Sequence, residues 1–219
     1  MIWRVLLFLW IAGSIVLAFT WAPLVPLLGE TTRVLYFHIP VAWITVLAMG
    51  WSMIHSAIYL RKRDLAHDDV AAGAAELGVL FCVAATVSGS LWAKAMWGSY
   101  WNWDPRETAI FFLLLIYAAY LALRAAVDEP ERRARLAAVY SIAAFVSVPF
   151  LVFIVPRIYF SLHPDPIINP QGKIDMDPRI RAVFFSLLIA FTVLFFWLLS
   201  LRVRLARVER RRLDAGLFA

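Results

Sequence analysis

Cysteine is almost missing from this chain: of 219 residues only Cys82 carries a thiol, and it lies inside an apolar run. No intrachain disulfide can form, so packing has to hold the fold together. Charge is also scarce, at 16% of residues against 63% hydrophobic, and mean hydropathy is +0.77. A soluble domain could not hide that much apolar surface, which makes the bilayer the expected solvent. The few charges sit in short clusters between long apolar runs. The formal net charge of +6 therefore reads as a topology signal and not as a nucleic-acid footprint. Internal repeats and low-complexity tracts are missing as well, which points to one domain over residues 1–219.

What is present is a series of six apolar runs: Trp3 to Ala22, Val41 to Leu60, Ala71 to Trp92, Pro105 to Ala126, Leu136 to Pro156 and Pro178 to Leu201. Each has roughly the 20 residues a helix needs to cross the hydrocarbon core, where backbone groups must pair internally. The expected fold is an all-α integral membrane protein of six transmembrane helices. Arg4, Arg61, Lys62, Arg63, Arg124, Arg132, Arg133, Arg135 and six arginines from Arg202 to Arg212 fall on one side, fourteen of the 21 basic residues. That excess predicts a cytoplasmic side, with both termini inside. Arg4 at the start of the first run resembles the basic residue of a signal sequence. The run is longer than a usual signal core and no small-x-small site follows it, so it is expected to remain as the first helix. Helix starts are legible too. Asp104-Pro105-Arg106-Glu107 matches a capping box with proline at the first helical position, and Asp177-Pro178-Arg179 opens the sixth run similarly. Pro40 is expected just before the second helix.

This topology leaves three outer loops. The first ends near His38, the second runs from Ala93 to Asp104, and the third runs from Arg157 to Asp177. The second contains Trp97, Gly98, Ser99, Tyr100, Trp101, Asn102, Trp103 and Asp104, so three of ten tryptophans fall within seven residues. One reading is an interfacial aromatic belt. The other is a stacking surface for a large flat ligand, because the cluster sits on one loop and Gly98 allows a tight backbone. Of the four histidines, only His38 and His163 share the outer side with this loop. Each alone reads as an ordinary surface histidine; as a pair beside the tryptophans they read as axial ligands for heme iron. His55 lies about 25 Å further along the second helix, and His67 is expected in a solvated inner loop; neither receives a role. Arg33, Lys94, Arg106 and Arg157 are outer basic groups able to pair with heme propionates. Arg106 equally decorates the start of the fourth helix, and Asp104 equally serves as a plain cap. Glu76 lies near the inner boundary with no assigned role. No C-x-x-C-H is present, so this chain cannot hold a c-type heme covalently.

The stretch from Trp97 to Thr108, WGSYWNWDPRET, resembles the tryptophan-rich WWD signature of the heme-handling proteins of cytochrome c biogenesis, whose members include CcmC, CcmF and CcsA. With LYFHIPVAW from Leu35 to Trp43, six helices and this chain length, the resemblance is strongest to the CcmC family, also labelled heme exporter protein C. CcsA-like proteins are longer and carry further histidines that this chain lacks. The resemblance implies iron protoporphyrin IX (heme b) as a transferred substrate at the periplasmic face of the bacterial inner membrane. It maps His38 and His163 onto the ligand histidines, and Trp97, Trp101, Trp103 and Asp104 onto the signature, with Tyr100 and Arg106 beside them. It implies transfer of heme to a histidine of the heme chaperone CcmE, alongside the CcmA/CcmB ABC transporter and the small membrane protein CcmD. Since no nucleophile–base constellation is visible, the expected role is a platform that orients heme and partner. The rival is an exporter subunit that moves heme across the bilayer, which would need polar or broken helices at mid-membrane. An electron-carrying b-type cytochrome fits poorly, because His38 and His55 lie at opposite ends of one helix.

Overall fold

The structure is a computed structural model that describes residues 2–163, 174 and 176–214. Pro164, Pro166, Pro170 and Lys173 of the third loop lie outside the described residues. Among the described residues the chain forms six long helices: α1 Ile2–Thr20, α2 Leu35–Lys62, α3 Leu65–Trp97, α4 Pro105–Ala125, α5 Pro130–Ile158 and α6 Pro178–Asp214. All six contain a stretch long and apolar enough to cross a membrane, and the chain is a multi-pass membrane protein. Among the described residues the only β-pairing is an isolated bridge between Val25 and Gly29.

Four helices extend past the spans read from hydropathy. Apolar character stops at the first charge, whereas a helix continues through Arg, Glu, Ala and Leu, which all favour it. The true starts are set by caps. Asp64 accepts from the N–H of Ala66 at 2.8 Å and starts α3 at Leu65, not Ala71. Glu129 accepts from Glu131 and Arg132 ahead of Pro130 and starts α5 six residues before Leu136. His67 consequently lies in the first turn of α3 and not in a solvated loop. α2 starts at Leu35 behind a 3-10 turn, Glu30–Val34, so Pro40 lies inside the helix instead of just before it. α6 runs to Asp214 instead of ending at Leu201. In α5 the residues Phe150–Ile154 form a π turn between Pro149 and Pro156, and the helix continues past Pro156 to Ile158. Each proline removes an N–H from the regular ladder, which favours such a local rewinding.

Small residues bring the central helices together. Gly78 of α3 lies so close to α2 that a β-carbon there would sit 3.2 Å from that of Ala48. Ala71, Ala72, Ala74, Ala75 and Cys82 of α3 are buried with it, the free thiol included. Close approach of this kind supplies the dispersion contacts that drive helix association in lipid. Across the bundle, Ser52 of α2 and Ser141 of α5 share a hydrogen bond of 3.1 Å. α1 rests on α6, where Trp10 donates to Ser186 at 2.8 Å and Ser14 bonds the same hydroxyl at 2.9 Å.

Acids and arginines are matched at the end where α2 stops and α3 begins. Arg124 of α4 makes a two-pronged pair with the buried Asp68 of α3, at 2.7 and 2.9 Å. Asp69 pairs with Arg210. Glu76, which had no role in the sequence, binds Arg202 of α6, with one contact at 3.0 Å.

Candidate functional site

The site forms at the other end of the bundle, where α2 begins, α3 ends and α4 begins. His38 sits in the second turn of α2 with its Nδ1 3.0 Å from the Ser88 hydroxyl of α3. That hydroxyl donates to the carbonyl of Ala84 at 2.8 Å, so it accepts from His38 Nδ1–H. The tautomer follows: Nε2 keeps its lone pair, as a metal ligand must. Gly89 makes room for the ring, since a β-carbon there would fall 2.9 Å from His38 Cε1. Gly89→Ala is therefore expected to displace the imidazole and cost about 1–3 kcal/mol by overpacking. Thermal unfolding in detergent would test this, and an unchanged melting temperature with an unmoved His38 resonance would refute it.

The second histidine is held more elaborately. His163 lies against two indoles, with ring centroids 4.9 Å from Trp97 and 5.7 Å from Trp92, and these two rings meet edge-on at 5.0 Å. Its Nδ1 is 2.9 Å from Asp104 Oδ1. Asp104 is itself buried and holds the third loop through further bonds. It accepts from the Leu162 N–H at 2.7 Å and from the Ser161 hydroxyl at 2.9 and 3.0 Å. The same carboxylate caps α4, accepting from the Arg106 N–H at 2.9 Å within a complete capping box with Glu107. The cap read from the sequence is thus also the anchor of His163.

Burial pushes the His163 imidazole down to about 4, against the opposing pull of Asp104, while Arg106 and His38 push it the same way as burial. Burial works to raise Asp104, but hydrogen bonds from Arg106 and Leu162, His163 and the Ser161 hydroxyl outweigh it and hold the carboxyl below its ordinary range. At neutral pH the pair is therefore an unprotonated imidazole donating Nδ1–H to a carboxylate, with Nε2 unprotonated. Unfolding restores an ordinary histidine near 6.5, which binds a proton that the folded state refuses. The contribution of His163 to stability is present in full above about pH 6.5 and declines as pH falls toward 4. A pH series of thermal unfolding should show this loss in the wild type and a smaller one in His163→Phe; equal losses would refute it.

The structure separates the remaining sequence candidates. Trp97 stands with His163, whereas Trp101 and Trp103 pack on each other at 5.8 Å and on Phe111 of α4 at 6.4 and 6.3 Å. Trp103 adopts a positive φ of 56° and is 66% exposed. That backbone is disfavoured for a bulky residue, and Glu107 holds it, accepting from the N–H groups of Asn102 and Asp104 at 2.7 and 3.3 Å. Tyr100 is exposed beneath Lys94, 5.5 Å from the ring centroid. Three of the four basic candidates cap carbonyls: Arg33 bonds those of Ala18 and Ala22, Lys94 that of Gly98, and Arg157 that of Phe153. Arg106 opens α4 beside Asp104, and its charge opposes protonation of His163. Ser88, Gly89 and Ser161 were not singled out from the sequence, since nothing local marks them before α3 and the third loop are placed.

Two histidines with Nδ1 engaged and Nε2 unprotonated thus stand at this end of the bundle, one of them against a pair of edge-on indoles. The family model described as heme exporter protein C matches residues 1–216. The chain belongs to the heme exporter protein C family, CcmC. A heme exporter protein C from Bradyrhizobium diazoefficiens is 34% identical over 183 residues, spanning 84% of this chain and 69% of that protein. One from Escherichia coli K12 is 29% identical over 187 residues, 84% of this chain and 74% of its own. A ccmC-like mitochondrial protein of cytochrome c biosynthesis from Marchantia polymorpha is 30% identical over 144 residues, 66% of this chain and 60% of its own. The CcmC match takes in both histidines and the whole tryptophan loop.

Proposed function

We propose that this chain is a heme-holding platform of cytochrome c maturation that receives heme b at the periplasmic face of the bacterial inner membrane and presents it to CcmE. The carrying observation is that Ser88 and Asp104 each occupy the Nδ1 side of one histidine, leaving Nε2 of His38 and of His163 for iron. A carboxylate behind a ligand imidazole fixes its tautomer and raises its basicity. Trp92 and Trp97 supply an apolar wall against the porphyrin face, and Arg106 a charge for a propionate. Trp103 and Tyr100, exposed on the flank, offer contact area to a docking partner.

The excess of arginine and lysine at the basic end, where α6 carries Arg210, Arg211 and Arg212, supports a cytoplasmic position for that end. The tryptophan loop then faces the periplasm, and the six helices act as one domain. Heme is a substrate here. Release requires that an incoming histidine of CcmE replace one axial ligand while the other still holds the iron. CcmA, CcmB and CcmD are the partners that the family membership supports. The visible spectrum of the purified protein loaded with hemin tests the reading. Wild type should give a bis-histidine spectrum, and His38→Ala and His163→Ala should each weaken binding and change the ligand field. Heme binding that neither substitution alters would remove both ligands from the reading.

A further inference from the structure

A cleft lies at the opposite, basic end of the bundle. It has a volume of about 350 Å3, and its walls include Trp51 and His55 of α2 and Phe196 and Leu199 of α6, with Arg204 and Arg207 alongside. The Trp51 ring stands 5.6 Å from His55 and 5.1 Å from Phe196, edge-on to the latter. His55 is not a lone side chain: its Nδ1 is 3.2 Å from Nδ1 of His67 in the first turn of α3. One of these nitrogens must carry the hydrogen. With it on His55, Nε2 of His55 is left with a lone pair, as in His38 and His163. The two arginines stand three positions apart on one face of α6. Their neighbours Arg202 and Arg210 are taken up by Glu76 and Asp69, whereas among the described residues neither Arg204 nor Arg207 pairs with an acid.

We propose that this cleft is a second heme site, on the opposite membrane side from the tryptophan loop. An aromatic wall, a positioned imidazole and two unmatched guanidinium groups fit a flat iron porphyrin carrying two carboxylates. Ligand sites of this volume are ordinary, and arginine is the side chain best suited to carboxylate pairing. His55 supplies the iron ligand, His67 fixes its ring, and Arg204 and Arg207 hold the propionates. The chain then handles heme at both of its ends. This inference rests on the heme-holding reading given above, extended to a site that reading does not use.

The test is hemin titration of the full chain in nanodiscs of zwitterionic lipid, read by Soret absorbance. Wild type should bind two hemes per chain. The double variant His38→Ala/His163→Ala should keep one, and adding His55→Ala should abolish it. His55→Met in the double background should retain heme with a shifted spectrum, which separates loss of a ligand from loss of fold. A double variant that binds none, while wild type binds one, overturns the second site and leaves the outer reading standing. So does a residual heme whose spectrum is indifferent to both His55 substitutions. A wild type that binds no heme removes both readings together. Co-purified anionic phospholipid, lost in Arg204→Gln/Arg207→Gln without change in heme stoichiometry, would assign the cleft to lipid and overturn the proposal.

Discussion

Replacing Asp104 by alanine is expected to weaken heme binding by about 10- to 100-fold, the usual effect of removing the group behind a ligand histidine. The size follows from how much one carboxylate holds. Asp104 sets the His163 tautomer, anchors the third loop through Ser161 and Leu162, and caps α4. Loss of the cap alone costs about 1 kcal/mol. Without the acceptor, His163 also loses its fixed orientation against Trp92 and Trp97. Asp104→Asn separates these parts, because an amide oxygen still caps the helix but carries no charge to sustain the imidazole. It should melt below the wild type, because its NH2 replaces one of two accepting oxygens and meets a donor such as the Leu162 N–H, and it should bind heme more weakly. Hemin titration with parallel thermal unfolding provides the measurement. If Asp104→Ala bound heme like wild type while His163→Ala did not, the anchoring role would be wrong.

The largest expected loss of stability comes from the other end of the molecule. Asp68→Ala should destabilise the fold by about 3–5 kcal/mol, since it leaves a buried guanidinium without its partner. The side chains of Asp68 and Arg124 are only 8% and 14% exposed, so water cannot take over. Replacing both residues together, as Asp68→Leu with Arg124→Met, should recover most of the loss, because the ion pair gives little net stability over a well-packed apolar pair. Unfolding in mixed micelles would measure all three proteins. A single variant as stable as wild type, or a double variant less stable than Asp68→Ala, would contradict this account. Heme binding at the far site should survive in the double variant.

Helix number and type were legible because a transmembrane span has one dominant signal, an unbroken apolar run of fixed length. The starts of α4 at Pro105 and α6 at Pro178 were legible too, but those of α3 and α5 were not, because hydropathy cannot see Asp64 and Glu129 acting as caps beyond the apolar segment. That error had consequences: starting α3 at Ala71 left His67 in solvent, whereas the longer helix sets it against His55. The candidate site was readable as residue types but not as roles. Asp104 read as a cap because Asp177 occupies the same local pattern, and nothing local distinguishes them. Their difference is tertiary, in that Ser161, Leu162 and His163 return to Asp104 across 57 to 59 residues of chain. Arg33, Lys94 and Arg157 read as propionate partners by charge alone, while the fold uses them on backbone carbonyls.

The seating of α1 on Ser186 of α6 joins the first helix to the last. During synthesis α1 enters the bilayer long before its neighbour exists, and it must wait there among lipids. Its surface suits that wait, with Phe8, Leu9, Val16 and Phe19 facing outward and only Leu7, Ser14 and Ala18 buried in the finished bundle. Closure of the bundle is thus timed by the arrival of α6. A ribosome that stalls before α6 would leave α1 without its seat, and the membrane quality-control machinery would meet Ser14 and Trp10 with no partner.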